Sequence, residues 1–155
     1  MDQIEVRIVR LEPLRVAASY GFGAGPEELA WQQIIKFYQE SGLDQDGAQH
    51  RFFGFNNPSP SAGSPNYGYE QWVTVAADTA ASGEIKMKNF PGGLYAVTRT
   101  TLRTITEDWH KLFLWREASH YLAANHQWLE ECLTPPLDAA ITEDMQLDLY
   151  IPIAE

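Results

Sequence analysis

Residues 66–75, NYGYEQWVTV, set one carboxylate, Glu70, among three aromatic rings. In an extended strand alternate side chains share a face, so Glu70 lies with Trp72, and Tyr67 and Tyr69 lie on the opposite face. If the Trp72 face lines a cavity, the acid stands beside an aromatic wall. If it does not, the tyrosines line the cavity, and Glu70 is buried by helices or lies at the exposed end of the strand. The alternation leaves both arrangements open.

Residues 126–133, HQWLEECL, place two acids side by side in an apolar stretch before a double proline. Either one acid points inward, or both are solvated on a helical turn. A carboxylate in an aromatic pocket is unfavourable without a counter-charge. A cationic ligand would supply that charge, and the rings would add cation–π attraction. Glu130 is therefore the leading candidate for the carboxylate that binds a cationic ligand, and Glu70 is the second candidate.

The four remaining tryptophans divide into two groups. Trp31 and Trp109 fall on the apolar stripes of two helices and are expected to belong to the core. Trp115 and Trp128 lie off these stripes or in the short 126–133 segment, which favours a place on a cavity wall.

Other chemistries lack the residues that they need. The sequence has no HExxH or HxH pair, so no metal is expected, and it has no GxSxG or P-loop, so no cofactor is expected. A single cysteine, Cys132, excludes an internal disulfide and a cysteine-based zinc site. The glycine cluster GFGAG precedes Pro26, but the acids that follow would repel a phosphate there.

Two helices and several strands must position these side chains. Apolar periodicity predicts helices over 27–41 and from 106 to about 122, with Thr106 as the N-cap of the second. Alternation and turn residues predict strands at 4–11, 14–20, 50–55, 67–77, 84–89, 94–102 and 145–153, and glycines 21, 23 and 25 are expected to form a loop.

An internal repeat organises these elements. The strand, helix and HRF segments of the first half recur as a strand, a helix and HQW at an offset of 76 to 79 residues. We therefore predict an α+β fold of one domain, 1–155, with repeats of roughly 1–78 and 79–155. Two strand–helix–strand–strand units, related by a pseudo-twofold axis, would form one curved antiparallel sheet covered on one face by two helices.

The charge balance limits the partners. With 21 acidic and 11 basic residues the chain carries a net charge of −10 and has no basic stripe, which argues against direct binding of nucleic acid. No apolar run of about 18 residues predicts a membrane span, and the N-terminus lacks the pattern of a signal peptide. A cytoplasmic protein is expected.

Taken in order, seven segments resemble a known family: LEPLRVAASYGFG, FFGFNNP, YGYEQWVTV, FPGGLYAVTR, ITEDWHKLFLW, HQWLEECL and LDLYIPI. Together they resemble the GyrI-like, AraC-type bacterial transcription-activator effector-binding domain, and within it the stand-alone members associated with integron cassettes. The resemblance covers nearly the whole chain and implies the duplicated fold above. It also implies recognition of lipophilic cations by aromatic residues around a buried glutamate.

The family glutamate matches Glu130 by its place before the last strand. The resemblance implies a ligand-binding set that also contains Glu70, Trp72, Tyr69, Tyr20, Phe22, Phe53, Phe55, Tyr95, Trp115 and Tyr150. Many members carry a DNA-reading helix-turn-helix. Here the first strand begins at Ile4, so the chain is expected to act with a separate regulatory partner or to sequester its ligand. A homodimer through a strand edge or the exposed helices is left open.

Three functions follow from these observations. The first is a small-molecule-binding module for amphipathic, lipophilic cations. The second, implied by the hydrolase members of the superfamily, is hydrolysis of electrophilic, cyclopropane-containing compounds with a pocket glutamate activating water. The third is an acidic module that docks on a basic protein partner.

Overall fold

The structure is a computed structural model that describes residues 4–61, 63–137 and 140–155. In these residues it contains nine strands and two α-helices. The strands are β1 (Arg7–Leu11), β2 (Leu14–Gly23), β3 (Phe52–Asn56), β4 (Tyr67–Thr74), β5 (Lys86–Phe90), β6 (Gly93–Thr101), β7 (Leu122–Ala123), β8 (Leu129–Cys132) and β9 (Gln146–Ala154), and the helices are α1 (Pro26–Glu40) and α2 (Ile105–Ala118).

Eight strands form one antiparallel sheet in the order β1-β6-β9-β8-β3-β4-β2-β5, and the short β7 pairs with the end of β9. The sheet curls into a half-barrel, and both helices pack on the same face of it. This arrangement confirms the α+β fold with two helices on one face of a curved antiparallel sheet.

The pairing pattern shows the pseudo-twofold symmetry. The unit β2-α1-β3-β4 corresponds to β6-α2-β8-β9, and the two units meet where β3 pairs with β8, with Gly54 opposite Glu130. The edge strands are exchanged between the halves. β1 precedes the first unit but pairs with β6, whereas β5 precedes the second unit but pairs with β2.

The two faces of the sheet are packed differently. On the face that the helices cover, which we call the helix face, α1 buries Trp31, Ile34 and Phe37 against the first half, and α2 buries Leu112 against the second. The other face, inside the curl, is called the curled face. It is filled by its own side chains, which include Phe53, Phe55, Trp72, Tyr95, Leu129 and Tyr150.

Helix α1 lies within one residue of its predicted bounds because its signals are strong. Pro26 lacks an N–H that the first turn would leave unpaired, and Glu27 in that turn favours the positive end of the helix dipole. Gly42 adopts a left-handed conformation, with φ of 79°, just after the helix ends.

Helix α2 starts and ends earlier than predicted, and Thr106 is not its N-cap. A short 3-10 turn, Leu102–Thr104, leads directly into Ile105, so Thr106 already lies within the first turn. Thr104 takes the capping position, but its hydroxyl donates to Asp108 at 3.0 Å and does not cap a backbone N–H.

The predicted loop at glycines 21 to 25 is wrong in its first half, because β2 continues to Gly23. Gly21 pairs with Tyr69 of β4 while the start of α1 passes directly over it. A Cβ on Gly21 would lie 2.4 Å from the carbonyl oxygen of Pro26. Glycine is therefore required here for close approach of helix and strand, rather than for a turn.

Candidate ligand-binding cavity

A cavity of about 620 Å³ opens on the helix face, between α1 and α2. Strands β4, β8 and β9 contribute its floor, and the first turns of the two helices contribute its walls. Its polar and aromatic lining consists of Glu27, Glu28, Trp31, Asn56, Tyr69, Gln71, Thr106, Trp109 and Glu130. No lysine or arginine occurs among the described residues that line it, so the cavity is rich in hydrogen-bond acceptors and carries negative charge.

Glu130 lies on the floor of this cavity. The 126–133 segment is a strand at 129–132, so its two adjacent acids point to opposite faces of the sheet, and Glu130 takes the helix face. Its Oε1 accepts a hydrogen bond of 2.9 Å from the Tyr69 hydroxyl, and its Oε2 accepts one of 3.0 Å from the indole Nε1 of Trp109. Both donors are neutral.

The net effect of this environment is to raise the pKa of the Glu130 carboxyl above its ordinary value. Burial is the largest cause, and the nearby Glu27 carboxylate acts in the same direction. The hydrogen bonds from Trp109 and Tyr69 oppose the rise because they favour the ionised form. Glu130 is thus a desolvated carboxyl whose described hydrogen-bond partners do not supply positive charge.

Tyr69 reaches Glu130 because of a glycine on the neighbouring strand. Gly54 of β3 lies under the tyrosine ring, where a Cβ would come within 2.2 Å of the hydroxyl oxygen and 2.7 Å of Gln71 Oε1. Burial, together with the charge of Glu130, holds the pKa of Tyr69 well above its usual value. The hydroxyl therefore keeps its proton and remains a donor to the carboxylate.

A second opening, of about 470 Å³, adjoins the first and shares Asn56, Trp109 and Glu130 with it. Trp128 lines this opening and lies against Trp109, with ring centroids 5.5 Å apart. It is 39% exposed, and the Arg116 guanidinium lies over its ring at 5.5 Å from the centroid. Glu130 can therefore be approached past two tryptophan rings.

Glu70, the second candidate acid, faces away from this cavity. It is buried on the curled face, where its Oε2 accepts hydrogen bonds of 2.6 Å from both Trp72 Nε1 and Lys88 Nζ. The sequence left two possibilities for β4, and the structure places Tyr69 at the cavity. Glu70 is neither covered by the helices nor left at an exposed strand end.

The structure brings together only part of the predicted ligand-binding set. Glu130 and Tyr69 line the main cavity, and Phe55 lines the adjoining opening. Four others are buried on the curled face, on the opposite side of the sheet from Glu130: Phe53, Trp72, Tyr95 and Tyr150. Two more, Tyr20 and Phe22, are exposed side chains of β2. Trp115 stacks on Tyr121 near the end of α2, far along the helix from the cavity.

Apart from Glu130 and Tyr69, the polar and aromatic residues of the cavity lining were not predicted as ligand contacts, and Trp109, Glu27 and Gln71 are the three that matter most for the site. Trp109 was expected in the core, yet its indole N–H binds Glu130. Glu27 was considered as one of the acids that would repel a phosphate, yet it lines the cavity and accepts a hydrogen bond of 2.6 Å from the Tyr67 hydroxyl. A usable signal was available for Trp109, since a buried indole N–H normally finds an acceptor.

Within the described part of the chain, no three histidine, cysteine or acidic side chains converge as a metal site. In the same residues no helix combines the length and the apolar character needed to cross a bilayer.

The family model of the integron-associated effector binding protein, Cass2, matches residues 7–153. The chain belongs to this family. Cass2-family membership makes it an effector-binding, small-molecule-binding module and confirms the family resemblance found in the sequence. No curated protein sequence matches the chain.

Solved structures share the fold at low sequence identity. The C-terminal domain of EcmrR matches with a TM-score of 0.71 and 11% identity over 98% of each chain. The match covers only 57% of the longer EcmrR chain seen in a complex with DNA. A hydrolase from Listeria innocua matches with a TM-score of 0.65 and 12% identity over 99% of this chain and 94% of that one. SAV2435 bound to tetraphenylphosphonium matches with a TM-score of 0.54 and 15% identity over 97% of this chain and 94% of that one.

Proposed function

We propose that this Cass2-family protein binds lipophilic cations in the cavity between α1 and α2, with Glu130 as the residue that recognises the charge. One observation carries the proposal. Glu130 is a desolvated carboxyl held by Tyr69 and Trp109, in a cavity with no lysine or arginine among its described lining residues.

The physical argument concerns the cost of this arrangement. An ionised carboxylate without a counter-charge is unfavourable when water is removed from it, and a bound cation relieves that cost. The rings of Trp109 and Trp128 offer apolar surface next to the carboxylate, and Trp109 adds cation–π attraction; the ring of Trp128 already has the Arg116 guanidinium over it. Tetraphenylphosphonium bound to the structurally similar SAV2435 is a lipophilic cation, which supports the choice of ligand class.

Quenching of tryptophan fluorescence provides the test. Titration with tetraphenylphosphonium should quench the emission, and Glu130→Gln should weaken binding by roughly 1–3 kcal/mol, the scale of a lost charge-assisted contact. The neutral analogue triphenylphosphine oxide should bind both proteins equally.

Glu107→Gln is the matched control, because it removes one negative charge from the exposed first turn of α2, away from the cavity lining. Equal loss of affinity in this control would assign the effect to overall charge. If Glu130→Gln leaves the affinity for the cation unchanged, the proposal is wrong.

Hydrolysis is the second candidate, favoured by the raised pKa of Glu130 beside a cavity. A carboxyl with a raised pKa is a better general base than an ordinary glutamate and can accept a proton from water. Cys132, also on the wall, is no nucleophile, since burial raises its pKa to about 11. Incubation of electrophilic, cyclopropane-containing compounds with a molar excess of protein, followed by mass spectrometry, tests the reaction. Unchanged compound would exclude it.

A further inference from the structure

Two tyrosine–glutamate pairs lie side by side at the cavity. Tyr67 and Tyr69 alternate on β4 and share its helix face, so their rings are about two residue rises, roughly 7 Å, apart along the strand. Tyr69 donates to Glu130 on the floor. Tyr67 donates to Glu27 in the first turn of α1, at 2.9 and 2.6 Å from its two carboxylate oxygens.

The two carboxylates belong to one electrostatic environment. Both line the same cavity. Burial and the bound Glu27 raise the pKa of Tyr67 to about 12, with Glu130 adding a smaller contribution, and burial and Glu130 raise the pKa of Tyr69, with a smaller contribution from Glu27. Their described hydrogen-bond partners are hydroxyl and indole groups, which are neutral. Glu28 also lines the cavity but is exposed to solvent, so a single monocation bound at Glu130 would leave Glu27 as the partly buried carboxylate without a cationic partner among the described groups.

The side-chain oxygen of Gln71 is a third hydrogen-bond acceptor at the cavity, in addition to the two carboxylates, and it lacks a donor in the described residues. Gln71 lies on the cavity wall and is 1% exposed, and its Oε1 has no hydrogen-bond partner. The amide orientation is set by its Nε2, which donates to the backbone oxygen of Phe53 at 2.8 Å. Because Gln71 Oε1 and the Tyr69 hydroxyl both lie beside Gly54, this free oxygen is next to the Glu130 site. A buried acceptor of this kind requires an N–H or O–H group.

We propose that the cavity recognises amphipathic dications whose inner positive group is a protonated amine. The inner ammonium pairs with Glu130 and donates to Gln71 Oε1, and the second positive group pairs with Glu27. The inference rests on the proposed function and adds to it the number of charges and the presence of N–H donors on the ligand. Onium ions without N–H groups then satisfy only part of the site.

The test uses three probes built on one scaffold. The first is a benzene ring with two para aminoalkyl arms, prepared with arms of increasing length. The second replaces one arm by an uncharged alkyl chain, and the third carries trimethylammonium groups in place of both amines. Calorimetric titration of the intact chain should show the best diamine binding roughly tenfold tighter than the monoamine and tighter than the trimethylammonium dication, the factor expected for one charge-assisted contact.

Single substitutions test which carboxylate binds which positive group of the ligand. Glu27→Gln should lower the affinity for the diamine to about that of the monoamine and leave the affinity for the monoamine unchanged. Glu130→Gln should weaken both amines. Glu107→Gln, in the first turn of the other helix, serves as the charge-matched control and should change neither.

The outcomes separate this inference from the function on which it rests. If the monoamine binds through Glu130 but the diamine binds no tighter, or if Glu27→Gln weakens both amines equally, the second cation site is wrong and the proposed function stands. If the trimethylammonium dication binds as tightly as the diamine, the requirement for N–H donors is wrong. If neither amine shows dependence on Glu130, both the inference and the proposed function fall.

Discussion

The two faces of the sheet treat their buried acids in opposite ways. On the curled face, Glu131 is bound by Arg51 through two hydrogen bonds of 2.8 and 2.9 Å, and Glu70 is bound by Lys88 at 2.6 Å. On the helix face, Glu130 adjoins Glu131 in the sequence, yet its hydrogen-bond donors within the described part of the chain are a hydroxyl and an indole. Glu131 and Glu70 on the curled face are thus paired with cations of the protein, whereas the cavity acid has no such partner among these residues.

This difference teaches that burial of a carboxylate does not by itself identify a binding site. A buried acid with an arginine or lysine partner forms part of the scaffold, and removing the partner leaves an expensive charge. A buried acid with neutral donors retains a demand for positive charge that a ligand can meet. The comparison can be tested by removing the cation on one face and the carboxylate charge on the other.

Arg51→Met is expected to produce the largest loss of stability. It leaves Glu131, which is 7% exposed, without its cation and also removes a hydrogen bond of 3.0 Å to the Tyr150 hydroxyl. The free energy of unfolding should fall by about 3 kcal/mol, the lower end of the range for buried pairs, because Glu131 is buried but the Arg51 side chain is 37% exposed. Denaturant unfolding measures the change.

Arg103→Met is the control for this substitution. Its partners Glu143 and Asp144 are exposed, so the same change of side chain should cost about 0.5 kcal/mol or less. If both variants lose the same stability, the ion pair of Arg51 is not what stabilises the curled face.

Gly54→Ala is expected to have the next largest effect, and it acts across the boundary between the faces. The added Cβ would overlap the Tyr69 hydroxyl and Gln71 Oε1, so the tyrosine must move away from Glu130. Overpacking of this kind costs about 1–3 kcal/mol of stability. Affinity for tetraphenylphosphonium should change as well, measured by fluorescence titration.

Gly54→Ala in a Tyr69→Phe background tests whether the Tyr69 hydroxyl is the group that requires a glycine at position 54. The phenylalanine lacks the hydroxyl that the Cβ would meet first, so the cost of the alanine should decrease. An unchanged cost in that background would show that the Tyr69 hydroxyl does not explain the glycine.

Glu130→Gln should have a smaller effect on stability than Arg51→Met or Gly54→Ala, and in the opposite direction. Because the folded-state pKa of Glu130 is raised, its contribution to stability is fully present below its unfolded value of 4.5 and is lost as the pH rises through the folded value. At neutral pH the neutral glutamine should therefore increase the free energy of unfolding, by about 1 kcal/mol at most, since it is a weaker acceptor for Tyr69 and Trp109.

The pH dependence of this difference is the check. The advantage of Glu130→Gln over the natural chain should be greatest at neutral pH and should disappear near pH 4, where the carboxyl is protonated in both states. A variant that is less stable than the natural chain at neutral pH would contradict the raised pKa.

The sequence predicted the fold well because the fold depends on local patterns. Residue alternation, helix periodicity and the repeat around Trp31 and Trp109 are visible without the structure. The errors are short and have local causes. Gly21 pairs within the strand and provides room for α1 rather than a turn, and α2 begins before Thr106 because a 3-10 turn leads directly into Ile105.

The cavity was only partly predictable because it is assembled from distant segments. Alternation correctly separated Glu70 from the tyrosines, but it carries no information on which face remains open. That choice depends on how the sheet curls and fills its inner face with Trp72, Tyr95 and Tyr150. The role of Glu27 depends on a contact with Tyr67, 40 residues away, which no local pattern contains.

The exchanged edge strands have a consequence for the origin of the protein. In a chain with a single repeat, the first strand would have no strand of its own unit to pair with, because β1 and β5 each pair with the opposite half. Two such chains would complete each other by trading that strand, as in a domain-swapped homodimer. Duplication and fusion of the gene would turn this reciprocal exchange into a covalent one. The fused copies could then diverge, so that one side of a formerly symmetric groove keeps Glu130 while its counterpart across the axis becomes Gly54.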